Sequence, residues 1–555
     1  VSAINEDLGR HIISGELTLT TRHVISINFF SFTNSSYPFV NVYWLSEVIF
    51  YLIYIHAGFF GLLLLTILFA IFSWFILVLP FIKQKAIIPI LFSSLILLGI
   101  FLLRTEVRPE IFSYFFLSIF TTLLFYFRRK YTLLLFILIP CTLLWANLHI
   151  YFVLGLGLLS FYSLDTLFYE RKNLLLWIKF PKTIPASAKI IFLTTIFSFV
   201  ISLLNPYGIK LLLYPFFITN HLSYVPLELQ NTFSIEPYIL APSILFFKFS
   251  FILTFIFLLF NRKRVFLSDW LITIAFTILG IQALRNLNLY AIAIFPIITS
   301  QLIFFYKNVL FNKVEKIKSF FRITKSVLIL GIIILFFYIN SYAISSRGFG
   351  YSTPTGVKNA VNFVEKEHIS GPFFNNFDIG SYLIFRFYPK YKVFIDNRAE
   401  AYSQGFIENI YIPMGENQKY FNQITQAYNI QAAIITHVDE TNIVDQLIKN
   451  NEWALVYLDD YAAVFLKNSP ENKLLIQKFL ITEYTFNKTY LNNKSITQLQ
   501  DYANFFTKEK WKNLEIYAYQ KMLVRNPTNC DALGQLMQLL PQNMAYSQSY
   551  RYTCQ

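Results

Sequence analysis

Apolar runs close to twenty residues long recur between Phe59 and Tyr342, parted by short polar stretches. At about 1.5 Å per residue, a helix of that length crosses a hydrocarbon layer ~30 Å thick. The pattern predicts ten spans, at about 58–80, 86–103, 110–127, 131–147, 150–169, 190–204, 239–260, 268–284, 288–306 and 326–344. Beyond about Ser345 the pattern changes. Helical periodicity over 355–366 and 380–387 alternates with β-type runs at 372–374, 392–396, 432–436, 454–458 and 462–466, as in a small α/β domain. From about Asn468 the chain is polar and helical. Trp511, Tyr519, Leu523 and Pro527 have part of the spacing of one tetratricopeptide-like helix pair, against which an ordinary helical hairpin is the plainer reading. The expected architecture is a mainly α, polytopic helical membrane protein. A first outer loop with juxtamembrane helices (1–57) leads to a transmembrane helical domain (58–346), an extracytoplasmic α/β domain (347–467) and a helical tail (468–555).

Composition agrees: 55% of the 555 residues are apolar and only 14% charged, which excludes an ordinary soluble enzyme. The net charge of +15 would suggest nucleic acid in a soluble protein, so its distribution matters. One set of alternate loops carries 19 Lys and Arg, the opposite set only Arg104, Arg108, Lys210 and Arg285. The first set is therefore assigned to the cytoplasm, and residues 1–57, 205–238 and everything after about 346 to the outside. With this charge spent on topology, no nucleic-acid partner is expected. The first segment then faces outward without a signal peptide, and a chain that begins with Val predicts one more span ahead of it. Cys141 lies in a span, no Cys/His pattern marks a zinc site, and Cys530 and Cys554 could pair if that end lies in an oxidising compartment.

Three polar sets could carry chemistry. The outward N-terminal segment holds Glu6, Asp7, His11, Gly15 and Glu16. A carboxylate at a membrane surface could deprotonate an acceptor hydroxyl or hold a divalent cation beside a lipid phosphate; solvated juxtamembrane charges are the equal alternative. The outer ends of the spans hold Arg104, Glu106, Arg108 and Glu110 around Pro109, Asn147 and His149 after Trp145, Asn205 to Gly208, Glu228 and Glu236, and Arg285 with Asn286. Charges at membrane depth cost about 2.5–3.5 kcal/mol each on insertion scales, so such groups need partners or a function. Arg108 and Arg285 suit a phosphate; singly, each residue of the set reads as an interfacial helix end. The α/β region adds Asp378 to Tyr382 and Asp396 to Arg398, placed where such folds bind ligands or simply cap helices. No Gly-rich phosphate loop, Ser/His/Asp signature or HExxH occurs.

With these residues in view, the chain up to about Lys467 resembles bacterial polytopic membrane proteins related to the C-type (GT-C) glycosyltransferases, distantly like protein mannosyltransferases. The pattern of an Asp after the first span, then a His, a Gly-Glu helix, a Ser-Phe-Thr stretch and Trp-Leu-x-Glu is met by Asp7, His11, Gly15, Glu16, Ser31 to Thr33, Trp44, Leu45 and Glu47. Arg108-Pro109-Glu110, Trp145 to His149, Asn205 to Gly208, Asp378 to Ile384 and Val393 to Arg398 also match family signatures. Phe377 to Tyr382 is loosely similar to the Trp-Trp-Asp-Tyr-Gly region of oligosaccharyltransferase catalytic subunits, with both tryptophans absent. The chain also departs from the family at Val42-Tyr43, where members often carry His-Glu.

The resemblance implies transfer of a sugar from a polyprenyl-(di)phosphate donor to a lipid, glycan or protein acceptor at the outer face of the bacterial cytoplasmic membrane. It implies Asp7 as base or divalent-metal ligand, with His11 and Glu110 as further catalytic groups. Arg108, Asn147, His149, Arg285, Asp378, Tyr382, Asp396 and Arg398 are the candidate substrate-binding residues. Two other classes compete: a non-catalytic envelope assembly protein, and a transporter of lipid-linked glycans, for which no internal repeat is visible.

Overall fold

The structure is a computed structural model that describes residues 6–84, 86–101, 106–128, 130–168, 186–217, 227–235, 242–262, 264–307, 356–438 and 442–554. The expected span at 326–344, Arg104 and Glu236 lie outside them. By packing, the described residues form two compact units. One holds residues 14–25 and those from 40 to 307; the other holds residues 6–13, 26–39 and those from 356 onward.

The first unit is helical. Among the described residues, Trp44–Gln84, Glu110–Phe127, Pro242–Phe260 and Leu284–Phe305 are long and apolar enough to cross a membrane. Ile87–Phe101, Leu133–Leu148, Phe152–Thr166, Ala188–Ser202 and Leu267–Gln282 are shorter apolar helices. The helix Leu287–Phe305 is the hub, packing on Ile87–Phe101, Glu110–Phe127, Pro242–Phe260 and Leu267–Gln282. The most apolar stretch of Leu284–Phe305 is 89% buried, against 22% for that of Trp44–Gln84, whose Phe60, Ile71, Phe72 and Phe75 face outward. Large apolar side chains on an outer surface suit lipid, where their exposure costs nothing. Small hydroxyls tie the interior, as in Ser93 to Thr299 at 2.7 Å and Thr232 to the Gly280 carbonyl at 2.6 Å. A buried ion pair, Arg128 to Asp269 at 2.6 Å, is sandwiched between the Phe125 and Phe266 rings.

The first apolar helix starts at Trp44, well before the expected 58, because the amphipathic stretch to Ala57 is also helical. At Gly58 the backbone leaves helical geometry with φ +58°, which glycine adopts without strain. The two parts are therefore separate rods joined at a break.

The second unit is built on a four-stranded sheet: β1 (Phe373–Asn375), β2 (Ala432–Thr436), β3 (Trp453–Leu458) and β4 (Ala462–Lys467), in the order β1-β2-β4-β3. β1 runs parallel to β2, with Phe374 opposite Ala433; the β2–β4 and β4–β3 pairs are antiparallel. The helices Lys358–Lys366 and Gly380–Phe387 flank β1 in sequence. The expected strand at 392–396 is an extended segment with a single bridge, Val393 to Ser31. Its hydrogen bonds go to Phe30 and Phe32 of the N-terminal segment and to the Asn375 side chain, so no ladder forms. The tail follows as helices Ile496–Glu509, Lys512–Arg525, Cys530–Leu539 and Met544–Cys554, each packed on the next, with Cys530 bonded to Cys554.

Candidate functional site

Two polar clusters gather the residues singled out above, one in each unit. In the sheet-containing unit, Asp7 and Arg10 lie on the first turns of helix Glu6–Thr21. The Asn397 amide donates to the Asp7 carboxylate, and the Ser381 hydroxyl donates to the Asn397 carbonyl oxygen. Arg10 Nε donates to Ser381 Oγ at 3.3 Å, and its Nη2 lies 3.4 Å from His11 Nε2. The elements that meet here do so closely. A Cβ on Gly380 would sit 2.1 Å from the Ile395 carbonyl, and one on Gly9 2.5 Å from Phe385 Cβ, so only glycine fits at either contact.

Asn397 is held by the residues on either side of it. Arg398 grips Asp396 through Nε and Nη2, both at 2.7 Å, and Nη2 also donates to Asn28 Oδ1 at 2.7 Å. The Tyr402 hydroxyl donates to Asp396 Oδ2 at 2.9 Å, and the Phe30 and Phe39 rings flank the guanidinium. Burial pushes the Asp396 carboxyl up, but the charge and hydrogen bonds of Arg398, with the charge of Arg10, outweigh it and hold the group below its usual range. Burial likewise pushes Arg398 down, and Asp396 outweighs it and raises the guanidinium further. Both groups are charged at neutral pH, paired with each other and further held by Asn28 and Tyr402. Asp378 is half-buried in the turn before Gly380, and the Tyr382 hydroxyl accepts from Arg386 Nη1 at 2.9 Å.

In the helical unit, Arg108 Nε lies 3.0 Å from Glu106, and its Nη1 3.3 Å from Glu228, whose other oxygen is 4.0 Å from Arg285. Glu110, in the first turn after Pro109, and Tyr43 act electrostatically on Arg285, whose guanidinium faces the Tyr151 ring at 6.0 Å. An open hollow lies beside them, lined by Glu106, Arg108, Glu110, Ile111 and Tyr114. His149 is buried. Its Nδ1 accepts from the Tyr151 backbone N–H at 3.2 Å and lies 2.9 Å from Ser113 Oγ. Its ring meets those of Tyr43 and Tyr151. Asn147 accepts from Trp44 Nε1 at 3.2 Å and donates to the Leu143 and Leu204 carbonyls, so its amide ties three segments. The Asn205 turn presents the Tyr207 hydroxyl to the Asn41 N–H at 3.0 Å, and the Asn41 amide donates to buried Glu47 at 2.7 Å.

Among the described residues, no group of three or more His, Cys, Asp and Glu is placed to hold a metal ion. Asp7 Oδ1 accepts an amide N–H, and His11 Nε2 faces the Arg10 guanidinium. The roles of Arg10, Asn28 and Tyr402 were missed from sequence. Arg10 carried a signal, an acidic-basic pair three residues apart on a helix; Asn28 and Tyr402 carried none.

No family model matches the chain, and no curated protein matches its sequence. Solved structures share its fold. The Archaeoglobus fulgidus oligosaccharyltransferase in its apo form is 14% identical with a TM-score of 0.53, over 82% of this chain and 69% of that chain. The oligosaccharyltransferase AglB from Archaeoglobus fulgidus, solved in complex with an inhibitory peptide and a dolichol-phosphate, is 12% identical with a TM-score of 0.54, over 95% of this chain and 82% of that chain. At these identities the likeness is one of fold. The chain is an integral membrane protein, mostly helical with a small sheet, and its fold is like that of these oligosaccharyltransferase structures.

Proposed function

We propose that the protein is a membrane glycosyltransferase that moves a sugar from a polyprenyl-(di)phosphate donor to a lipid, glycan or protein acceptor on the extracytoplasmic face. Asp7 orients the acceptor hydroxyl and takes its proton. The acceptor oxygen attacks the anomeric carbon, the bond from that carbon to the donor phosphate breaks with inversion, and the phosphate leaves with the electron pair. Arg108 and Arg285 bind that phosphate and stabilise its developing charge. His11, Glu110, Asn147 and His149 shape the surroundings, Asp378 and Tyr382 serve the acceptor side, and the buried pair Asp396 and Arg398 keeps Asn397 in place beside Asp7.

One observation carries the reading: the residue matching the family's catalytic Asp is held by Asn397 beside Arg10 and Ser381, in a chain that shares its fold with an enzyme solved with a peptide and a dolichol-phosphate. The same reading has the chain cross the bacterial cytoplasmic membrane ten times, with residues 347–467 and the tail outside. The Cys530–Cys554 disulfide supports that side, because such bonds persist in oxidising compartments. Asp7→Asn is expected to cut sugar transfer by about a hundredfold or more while leaving the protein folded. Mass spectrometry of envelope glycans and glycoproteins in a deletion strain, complemented by wild type or variant, measures it; wild-type transfer by Asp7→Asn removes Asp7 from the mechanism.

A second reading, a non-catalytic envelope assembly protein, is favoured by Tyr43. Its ring rests on His149 at a position where relatives often carry Glu. Unchanged glycans in the deletion strain would turn the assignment to it.

A further inference from the structure

We propose that Glu228 is an internal stand-in for the donor phosphate and has to leave before the donor binds, an inference that rests on reading Arg108 and Arg285 as the phosphate site. The Glu228 carboxylate reaches both guanidiniums. Arg108 Nη1 lies 3.3 Å from Oε2 and 3.4 Å from Oε1, and Arg285 Nη1 lies 4.0 Å from Oε1. A carboxylate and one edge of a phosphate offer a guanidinium the same pair of oxygens. The group that now bridges the two arginines therefore occupies the place one phosphate would take.

Charge balance points the same way. Among the described residues Glu106 also holds Arg108 and Glu110 acts on Arg285, so with Glu228 in place these two guanidiniums meet three carboxylates. A further anion is repelled until one carboxylate withdraws. By exposure both Glu106, at 39%, and Glu228, at 31%, can move, but among the described residues it is Glu228 that reaches both guanidiniums, so its withdrawal frees the two together. The Arg128–Asp269 pair, at 11% and 1%, is closed to such exchange. Until it withdraws, Glu228 keeps the two arginines paired and shuts out other anions.

Calorimetric titration of the purified full-length protein in detergent, with inorganic phosphate and with a short-chain polyprenyl monophosphate, tests this. Glu228→Gln is expected to tighten binding by about tenfold or more. Glu228→Asp, which keeps the charge but shortens its reach, tightens it less and serves if the Gln variant does not fold. Glu106→Gln, which removes a charge without emptying the bridge, shifts binding by less than about threefold. Tightening confined to the lipid supports a lipid headgroup as the anion, and equal tightening of both probes supports free phosphate. If wild type binds and Arg285→Gln abolishes binding, but neither Glu228 variant tightens it or Glu106→Gln tightens it equally, the stand-in is overturned and the phosphate site survives. If wild type and all variants fail to bind, both are overturned.

Discussion

Arg398 and Asp396 hold each other in a setting where neither could stand alone. The carboxylate is fully buried, its charge answered by a bidentate guanidinium and a tyrosine hydroxyl. Arg398→Ala leaves a buried charge without its partner, a loss of about 3–5 kcal/mol. Arg398→Lys rescues little, since an ammonium cannot reproduce the fork. Limited proteolysis of residues 356–438 reads both effects, and wild-type resistance in either variant would refute the pair's role. A second residue sets a pH limit. His437 is buried against Phe505, with Nε2 2.8 Å from the Asp459 carbonyl. Burial pushes its pKa from an ordinary 6.5 down to about 4, with Asp459, Asp460 and Lys508 as the neighbouring influences. Between those values the unfolded chain binds the extra proton, so stability falls as pH falls, by roughly 3 kcal/mol in all. Amide protection factors over 432–437, with the intrinsic pH dependence of exchange divided out, should fall from pH 7 to pH 4.5 in wild type and much less in His437→Phe.

Element by element, the sequence pattern was legible where the signal is local. The helix Gly380–Phe387 and strands β2, β3 and β4 fall within a residue or so of the periodicity that predicts them. It failed at 392–396, whose apolar run looks like a strand but finds its partners in Phe30, Phe32 and Asn375. Alternation reports that a segment is extended and buried; it carries nothing about whom it pairs with. Family resemblance singles out Asp7, Asp396 and Arg398 but says nothing of their connection through Asn397 and Ser381, which depends on segments far apart in the chain. Glycine contacts belong to the same hidden class. A Cβ at Gly15 would lie 2.0 Å from the Glu47 carbonyl, where helix Glu6–Thr21 meets the start of helix Trp44–Val78. Gly15→Ala forces those helices apart and should cost about 1–3 kcal/mol, seen as a lower melting temperature of the purified protein. An unchanged melting temperature would show that the helices can separate without penalty.

For the whole molecule, the distribution of charge makes the firmest claim. The 19 basic residues of the alternate loops predict one side for Arg264 and the other for Tyr484. Tyr484→Cys should react with a membrane-impermeant maleimide in intact cells, and Arg264→Cys only after permeabilisation. The reverse pattern would invert the topology and move Asp7 to the cytoplasm. By the same measure, residues 347–466 carry 9 basic against 13 acidic groups, so the surplus of positive charge belongs to the membrane half.

The pairing of Ser31 with Phe394 places 363 positions between two bonded atoms, with the helical unit synthesised in the interval. At 5–20 residues per second a ribosome needs roughly 20–70 s to cover that distance. Residues 26–39 therefore emerge long before the edge that receives them exists, and wait at the membrane while one helix after another is inserted. Closure of the sheet-containing unit becomes a checkpoint on biosynthesis: it can be completed only by a chain whose intervening segments have all been delivered. A fragment beginning at residue 347 would carry the sheet but lack the Phe30–Thr33 stretch, leaving Val393 and Phe394 with an open edge.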